Sequence, residues 1–280
     1  MAAANAVTLM QYLQTALPAL NPGPNVQPSP NTTNDAYSHR QIRNLTPWNS
    51  FDPQVIFNRY GALLNTAQIA PEPATTPPRP ITSEDVLRQR LAVYLNPRVY
   101  RALRSAFLTL TQANRLGGMT VVTFDAGDSA ALIQNFRPDL AYFDETIANS
   151  QNRPNRAPGD VKVSWKWSSA MRNSQSQREQ NEFKQVLSQV YYYMKQHRTR
   201  YGFVISNREI IAVRRVFNNQ GVEDEGHLQL SAPISLRASG TVAAPVMTPL
   251  LALWYLGMLA ARDAVSPGGN GFPALPPYHV

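Results

Sequence analysis

The spacing of hydrophobic residues predicts several helices along this chain of 280 residues. Apolar positions three and four residues apart are typical of amphipathic helices. Segments with this spacing are 5–19, 84–95, 98–114 and 182–198, and the almost wholly apolar segment 248–263 is predicted as a buried closing helix. The helix near residue 84 has a favourable start, because Thr82 or Ser83 can cap it and Glu84 and Asp85 lie near the positive end of its dipole.

Short apolar or alternating runs between turn-forming residues predict strands. These runs are 119–124, 137–144, 160–167, 200–206, 209–217 and 226–236. The runs on either side of Asn207-Arg208 indicate a hairpin. The chain order from residue 81 is helix, three strands, helix and two further strands, and this order predicts an α/β fold.

The first 80 residues have a different composition from the rest. Residues 20–37 are rich in Pro and Asn, and residues 70–80 contain five prolines. Such segments favour linkers and spacers of polyproline character. We expect three parts: an irregular, partly disordered N-terminal arm over 1–80, a domain over 81–265 and a flexible tail over 266–280. The alternative for the arm is a segment that docks on the domain or on a second copy.

Composition excludes several kinds of site. The chain has no cysteine, so disulfides, thiol nucleophiles and Cys-ligated zinc are excluded. Its four histidines are far apart in the sequence and form no metal-binding motif. A metal site in this chain therefore requires carboxylate ligands.

The positive charge is concentrated in one quarter of the chain. Residues 151–220 contain 13 Lys/Arg and 4 Asp/Glu, a net charge of +9, whereas the remaining residues sum to 13 − 14 = −1. A localised basic segment indicates an acidic partner such as nucleic acid.

Targeting and membrane signals are weak. The apolar N-terminus lacks the basic residues of a signal peptide. The longest apolar stretch, 246–261, is shorter than a membrane span and contains a proline. We expect an intracellular protein, nuclear or cytoplasmic and not secreted, without a membrane partner.

Two aspartates and a lysine stand out on neighbouring predicted strands. Asp139 follows Pro138 at the start of one strand, and Asp160, Val161 and Lys162 open the next. Alternate residues of a strand face the same way, so Asp160 and Lys162 project together. If the two strands pair, both carboxylates and the ammonium converge. Two close carboxylates repel unless a cation lies between them, and Mg²⁺ suits such oxygen ligands.

These residues resemble a known motif. Pro138-Asp139 followed by Asp160-Val161-Lys162 is similar to the signature of the PD-(D/E)XK nuclease superfamily. Gln189 and Tyr193 match a Gln-x-x-x-Tyr pattern found in one branch of it. The segments GDVKVSWKWS and YGFVISNREIIAVRR are similar to those of uncharacterised fungal proteins assigned to this superfamily.

The resemblance covers residues 84–217 and implies a restriction-endonuclease-like core, with a mixed central β-sheet flanked by helices. It implies that Asp139, Asp160 and the Val161 carbonyl hold Mg²⁺ or Mn²⁺, and that Lys162 is catalytic. It also makes Glu84 or Asp85 a candidate additional acidic residue.

Substrate contacts are expected on the basic side of the site. Lys166 is four residues from Lys162 and shares its face if the strand continues. The expected nucleic-acid contacts are Lys166, Gln189, Tyr193, Arg198 and Arg200.

The resulting hypothesis is a metal-dependent nuclease that hydrolyses DNA or RNA, with DNA the first choice and a homodimer one option. The first alternative is an inactive nuclease-fold module that binds nucleic acid. The second is a scaffold whose basic face binds an acidic protein. For individual residues, the plainer alternatives are strand-end caps for the aspartates, a solvated charge for Lys162, and core packing for the tyrosines.

Overall fold

The computed structural model describes residues 6–24, 26–27, 29–72, 76–218 and 220–262. The predicted tail at 266–280 lies outside them. Within these ranges the helices are α1 (Leu9–Leu13), α2 (Pro53–Thr66), α3 (Glu84–Tyr94), α4 (Asn96–Gln112), α5 (Gln177–Gln196) and α6 (Pro249–Arg262). The strands are β1 (Val7–Thr8), β2 (Asn44–Pro47), β3 (Gln68–Ile69), β4 (Thr123–Ala126), β5 (Leu140–Phe143), β6 (Gly159–Val161), β7 (Tyr201–Ile205), β8 (Glu209–Phe217), β9 (Glu223–Leu230) and β10 (Ile234–Ser235).

Eight of these strands form one mixed sheet, and β1 and β3 form a separate antiparallel pair. The order across the large sheet is β2-β9-β8-β7-β6-β5-β4, and β10 pairs with β8. The β6–β7 and β2–β9 pairs are parallel, whereas the other pairs are antiparallel. The predicted α/β class, with a mixed central sheet flanked by helices, is confirmed.

Each face of the sheet has its own hydrophobic core. On one face, Phe183, Val186 and Val190 of α5 pack with Val204 of β7 and Ile211 of β8. On the other face, α1, α2, α3, α4 and α6 contribute to a larger cluster. The alternation of strand residues between these two cores determines the face on which each polar side chain lies.

The first 80 residues take part in this architecture. Strand β2 is an edge of the large sheet, and it pairs in parallel with β9. Leu9, Leu13, Ile56 and Leu64 are fully buried in the larger cluster. Of the helix predicted over 5–19, Leu9–Leu13 is helical as α1, and the apolar faces of α1 and α2 are buried against parts of the chain that are distant in sequence.

The predicted strand at 160–167 is wrong beyond Val161. Strand β6 ends there, and residues 164–166 form a turn in which the Lys166 N–H donates to the Val163 carbonyl. The alternation of this segment arises instead because Trp167 turns inward and stacks on Phe183, with ring centroids 5.6 Å apart. Lys166 therefore does not share a strand face with Lys162.

Candidate functional site

Asp139 lies directly before β5 and contacts the neighbouring strand β6. Its backbone N–H donates to the Gly159 carbonyl at 3.0 Å. Its carboxylate Oδ2 accepts from the backbone N–H of Val161 at 2.8 Å. The Asp139 carboxylate is therefore attached to the short segment that carries the other two predicted catalytic residues.

Asp160 and Lys162 form an ion pair in the interior. Lys162 Nζ is 2.6 Å from Asp160 Oδ2; Asp160 is 1% exposed and Lys162 is 5% exposed. Asp160 is in register with Val204 of the parallel strand β7, so both side chains lie on the sheet face covered by α5. Lys162 Nζ is also 3.4 Å from the Val161 carbonyl oxygen.

Helix α3 adds one acidic and one basic side chain to this cluster. Glu84, its first residue, places Oε1 3.9 Å from Lys162 Nζ. One turn later, Arg88 Nη1 is 2.5 Å from Asp139 Oδ1, and Nη2 of the same side chain pairs with Asp85. Of the two acidic candidates on α3, Glu84 is thus the one that faces Lys162.

The charges in the cluster perturb one another. Burial raises the pKa of Asp160 to about 7; Lys162 opposes this rise, and the nearby carboxylates of Asp139 and Glu84 add to it. Burial disfavours the charged form of Lys162, but Asp160, Glu84 and Asp139 together raise its pKa above the usual value. The ammonium of Lys162 is therefore retained at neutral pH.

The predicted Gln-Tyr pair lies on the same side of α5 as the cluster. Gln189 Nε2 donates to the Tyr193 hydroxyl at 2.8 Å, as their spacing of four residues allows. Tyr193 is buried, and burial followed by the charge of Asp160 raises its pKa. A second tyrosine, Tyr37, has its pKa raised by burial and by Asp160, against the influence of Lys162.

The other predicted contacts are spread more widely. Lys166 lines a cavity of about 400 Å³ together with Glu84, so it lies beside the cluster although β6 has ended. Arg198 and Arg200 precede β7, and Asp160 pairs with Val204 further along that strand. Four residues of strand separate Arg200 from that point, about 13 Å. Arg200 is 7% exposed, and its guanidinium lies 5.2 Å from the centre of the Phe217 ring.

The donor atoms suit a hard divalent cation. Val161 N is bonded to the carbonyl carbon of Asp160, so the Asp139 and Asp160 carboxylates lie within about 8 Å of each other. Mg²⁺ needs only one or two protein carboxylates. Among the described residues, no three histidine or carboxylate side chains are already grouped so that they could hold an ion. Arg88 and Lys162 supply the positive charge beside the two aspartates.

Several residues that shape the site were missed by the sequence analysis. Arg88 carried a detectable signal, because it lies one helical turn after Glu84 and Asp85. No sequence pattern pointed to Tyr37, because it belongs to a segment rich in Pro and Asn that has no helix or strand periodicity. Asn155, in a polar segment, is fully buried: its side chain accepts from Tyr142 N at 3.2 Å and donates to the Leu140 carbonyl at 2.9 Å. The Asn155 side chain thereby supplies hydrogen-bond partners to backbone groups of β5 beyond the single residue pair, Leu140 and Gly159, that joins β5 to β6.

No protein-family model, curated protein or solved structure matches this chain. In the part of the chain that the structure describes, no helix is both long enough and apolar enough to cross a membrane. The chemistry of the site therefore has to be inferred from its own geometry.

Proposed function

We propose that the chain is a metal-dependent nuclease that hydrolyses phosphodiester bonds of DNA or RNA, on a restriction-endonuclease-like core. The observation that supports this proposal best is that the Asp139 carboxylate contacts the backbone of Val161, the residue between Asp160 and Lys162. Asp139 accepts from the Val161 N–H, and Lys162 pairs with Asp160. The segments of two neighbouring strands, β5 and β6, thus bring two carboxylates and an ammonium together, which is the arrangement that the sequence resemblance implies.

Asp139, Asp160 and the Val161 carbonyl are the residues that would hold Mg²⁺ or Mn²⁺. A bound ion of this kind polarises a phosphodiester and acidifies an attacking water. Glu84, whose Oε1 is 3.9 Å from Lys162 Nζ, supplies a third carboxylate near the same ammonium. Its exposed fraction is 24%, so it lies nearer to solvent than Asp160, whose side chain is 2% exposed.

The protonated form of Lys162 defines what this residue contributes. Its raised pKa means that the ammonium cannot accept a proton at neutral pH. Lys162 therefore acts by orienting the attacking water and by stabilising negative charge that develops on the phosphate oxygens. Asp160 holds the ammonium in place through the ion pair.

Nucleic acid is the substrate class because of the charge distribution and the surroundings of the cluster. Residues 151–220 carry a net charge of +9 and include Lys162 and Lys166. Lys166 lines the cavity beside Glu84, where it can contact a phosphate. Gln189 and Tyr193 flank the cluster from α5 and are proposed to contact substrate. Arg198 and Arg200 remain predicted contacts at a greater distance along the strand.

The test is cleavage of labelled DNA and RNA by the purified protein in Mg²⁺ or Mn²⁺. Substitution of Asp160→Asn, Asp139→Asn or Lys162→Met is expected to reduce the cleavage rate at least a hundredfold. Two matched controls are Asp125→Asn, at an exposed carboxylate of β4, and Lys195→Met, at an exposed ammonium of α5. Cleavage that survives all three site substitutions would falsify the site assignment.

A specific observation also favours a second candidate, a nuclease-fold module that binds nucleic acid without cutting it. Both aspartates are already paired with cationic side chains, Arg88 and Lys162, which compete with a metal ion. This candidate predicts no cleavage under any metal condition, together with binding that weakens steeply as salt is raised. Measurable metal-dependent cleavage removes it.

A further inference from the structure

Three aromatic side chains from distant parts of the chain meet beside the carboxylate cluster. Tyr37 comes from the N-terminal segment, Phe136 from the loop before β5, and Tyr192 from α5. The ring centroids are 6.2 Å apart for Tyr37 and Phe136, 5.8 Å for Tyr37 and Tyr192, and 4.9 Å for Phe136 and Tyr192. We refer to these three residues as the aromatic trio.

The trio differs from ordinary core packing in its exposure. Tyr37 is 4% exposed and lies on the inner side, where its pKa is influenced by Asp160 and Lys162. Phe136 and Tyr192 are only partly buried, in contrast to Tyr37. Their planes meet at 69°, an edge-to-face arrangement that aromatic pairs favour.

The loop that presents Phe136 is held in an unusual conformation. Gln134 and Asn135 have φ angles of 51° and 64°, a left-handed backbone that residues other than glycine seldom adopt. The Phe136 N–H closes this turn by donating to the Ile133 carbonyl at 2.9 Å. Contacts from α5 support it: Tyr192 Oη donates to Gln134 Oε1 at 3.0 Å, and Gln196 Nε2 donates to the Ile133 carbonyl at 3.2 Å. Such strain persists only where surrounding contacts impose it, and it is concentrated at functional sites.

The position of the trio connects it to the site. Phe136 is three residues before Asp139, so their Cα atoms are at most about 11 Å apart. Tyr192 is the neighbour of Tyr193 on α5. Arg137, exposed and directly after Phe136 in the chain, adds a positive charge to this part of the surface. Aromatic rings next to basic side chains are the usual features of surfaces that bind single-stranded nucleic acid.

We infer that Phe136 and Tyr192, supported from behind by Tyr37, form a stacking platform for one unpaired base next to the bond to be cut. This inference rests on the proposed function and narrows its substrate to single strands or unpaired ends. A base in a duplex is stacked on both faces by its neighbours and has no free face for the platform.

The experiment measures binding without divalent metal, so that it is independent of hydrolysis. Fluorescence anisotropy compares a labelled oligothymidylate, an abasic oligomer of equal length and charge, and a blunt duplex. The wild-type protein is expected to bind the oligothymidylate about tenfold more tightly than the abasic oligomer. Phe136→Leu should remove this difference, whereas Phe136→Tyr, which keeps the ring, should retain most of it.

A control separates stacking from a general effect of removing a ring. Tyr100→Leu removes a half-buried tyrosine of α4 that pairs with Arg104, and it should leave the preference for bases unchanged. Equal affinity for the abasic oligomer, equal effects of Phe136→Leu and Phe136→Tyr, or no binding to any of the three probes overturns the platform. Base-selective binding without cleavage would leave the platform in place and remove the hydrolytic function, so the two failures are distinguishable.

Discussion

Lys162 Nζ lies 2.6 Å from Asp160 Oδ2, and neither side chain is more than 7% exposed. A buried ion pair contributes little net stability, because desolvation of both charges offsets their attraction. The pair holds an ammonium beside the Asp160 carboxylate within the cluster. Breaking the pair on one side has a large effect, because the other charge remains buried without compensation.

The raised pKa of Asp160 and the lowered pKa of His197 lead us to expect opposite dependences of stability on pH in metal-free buffer. The pKa of Asp160 is raised to about 7, so between about pH 4 and 7 the folded state retains a proton that the unfolded state has lost. Its contribution to the free energy of unfolding therefore decreases as pH rises through this range. Burial lowers the pKa of His197 to about 4, so its contribution increases as pH rises from about 4 to 6.5.

Urea denaturation in EDTA across this pH range tests both signs. Asp160→Asn should leave the His197 dependence, with stability rising from pH 4 to 6.5. His197→Gln should leave the Asp160 dependence, with stability falling between pH 4 and 7. A curve for Asp160→Asn that is parallel to the wild-type curve contradicts the assignment of the raised pKa to this carboxylate.

Arg88 is predicted to compete with a metal ion for Asp139. Its guanidinium contacts Asp139 Oδ1 at 2.5 Å while the other carboxylate oxygen accepts from Val161. Arg88→Gln removes this positive charge and should tighten Mn²⁺ binding several-fold, as measured by isothermal titration calorimetry. Arg90→Gln, on the same helix, is the matched control and should leave the affinity unchanged. Weaker Mn²⁺ binding by Arg88→Gln argues against a metal site at Asp139.

Asn155 is predicted to be a structural residue whose loss is costly. Its side chain bonds the Tyr142 N–H and the Leu140 carbonyl in a fully buried position. Asn155→Ala leaves two backbone groups of β5 without partners and should lower the free energy of unfolding by about 2–5 kcal/mol. Asn149→Ala removes an exposed side-chain bond to Gln151 N and should cost about 1 kcal/mol. If both variants lose a similar free energy of unfolding, the Asn155 side chain is not an essential partner for the backbone of β5.

Gly159 is predicted to tolerate no side chain. A Cβ at this position would lie 2.1 Å from Cζ of Phe203, the residue paired with it on β7. Gly159→Ala should therefore destabilise the protein by about 1–3 kcal/mol and displace Asp160, the next residue. Gly61→Ala, in a helix with open space around it, should be neutral or stabilising. Thermal melting of the two variants checks this contrast, and an unaffected Gly159→Ala protein would contradict it.

The amphipathic helices and the hairpin were predictable because their signals are local. Spacing of three and four residues located α3, α4 and α5, and a continuous apolar run located α6. A turn between two apolar runs located β7 and β8. The pairing of Asp160 with Lys162 was also predicted from their separation of two residues. Local spacing failed at residues 162–167, where Trp167 and its partner Phe183 outweigh the alternation.

The sequence by itself determined the α/β class and the candidate triad of Asp139, Asp160 and Lys162. Only the tertiary structure decided that Glu84, Arg88 and Tyr37 join the triad, that Lys166 reaches its neighbourhood by a turn, and that Phe136 and Tyr192 meet. These contacts depend on the order of strands and on helix packing across segments far apart in the chain. Hydrophobic burial drives that packing without direction, so the partner of a given polar residue cannot be derived from its local pattern.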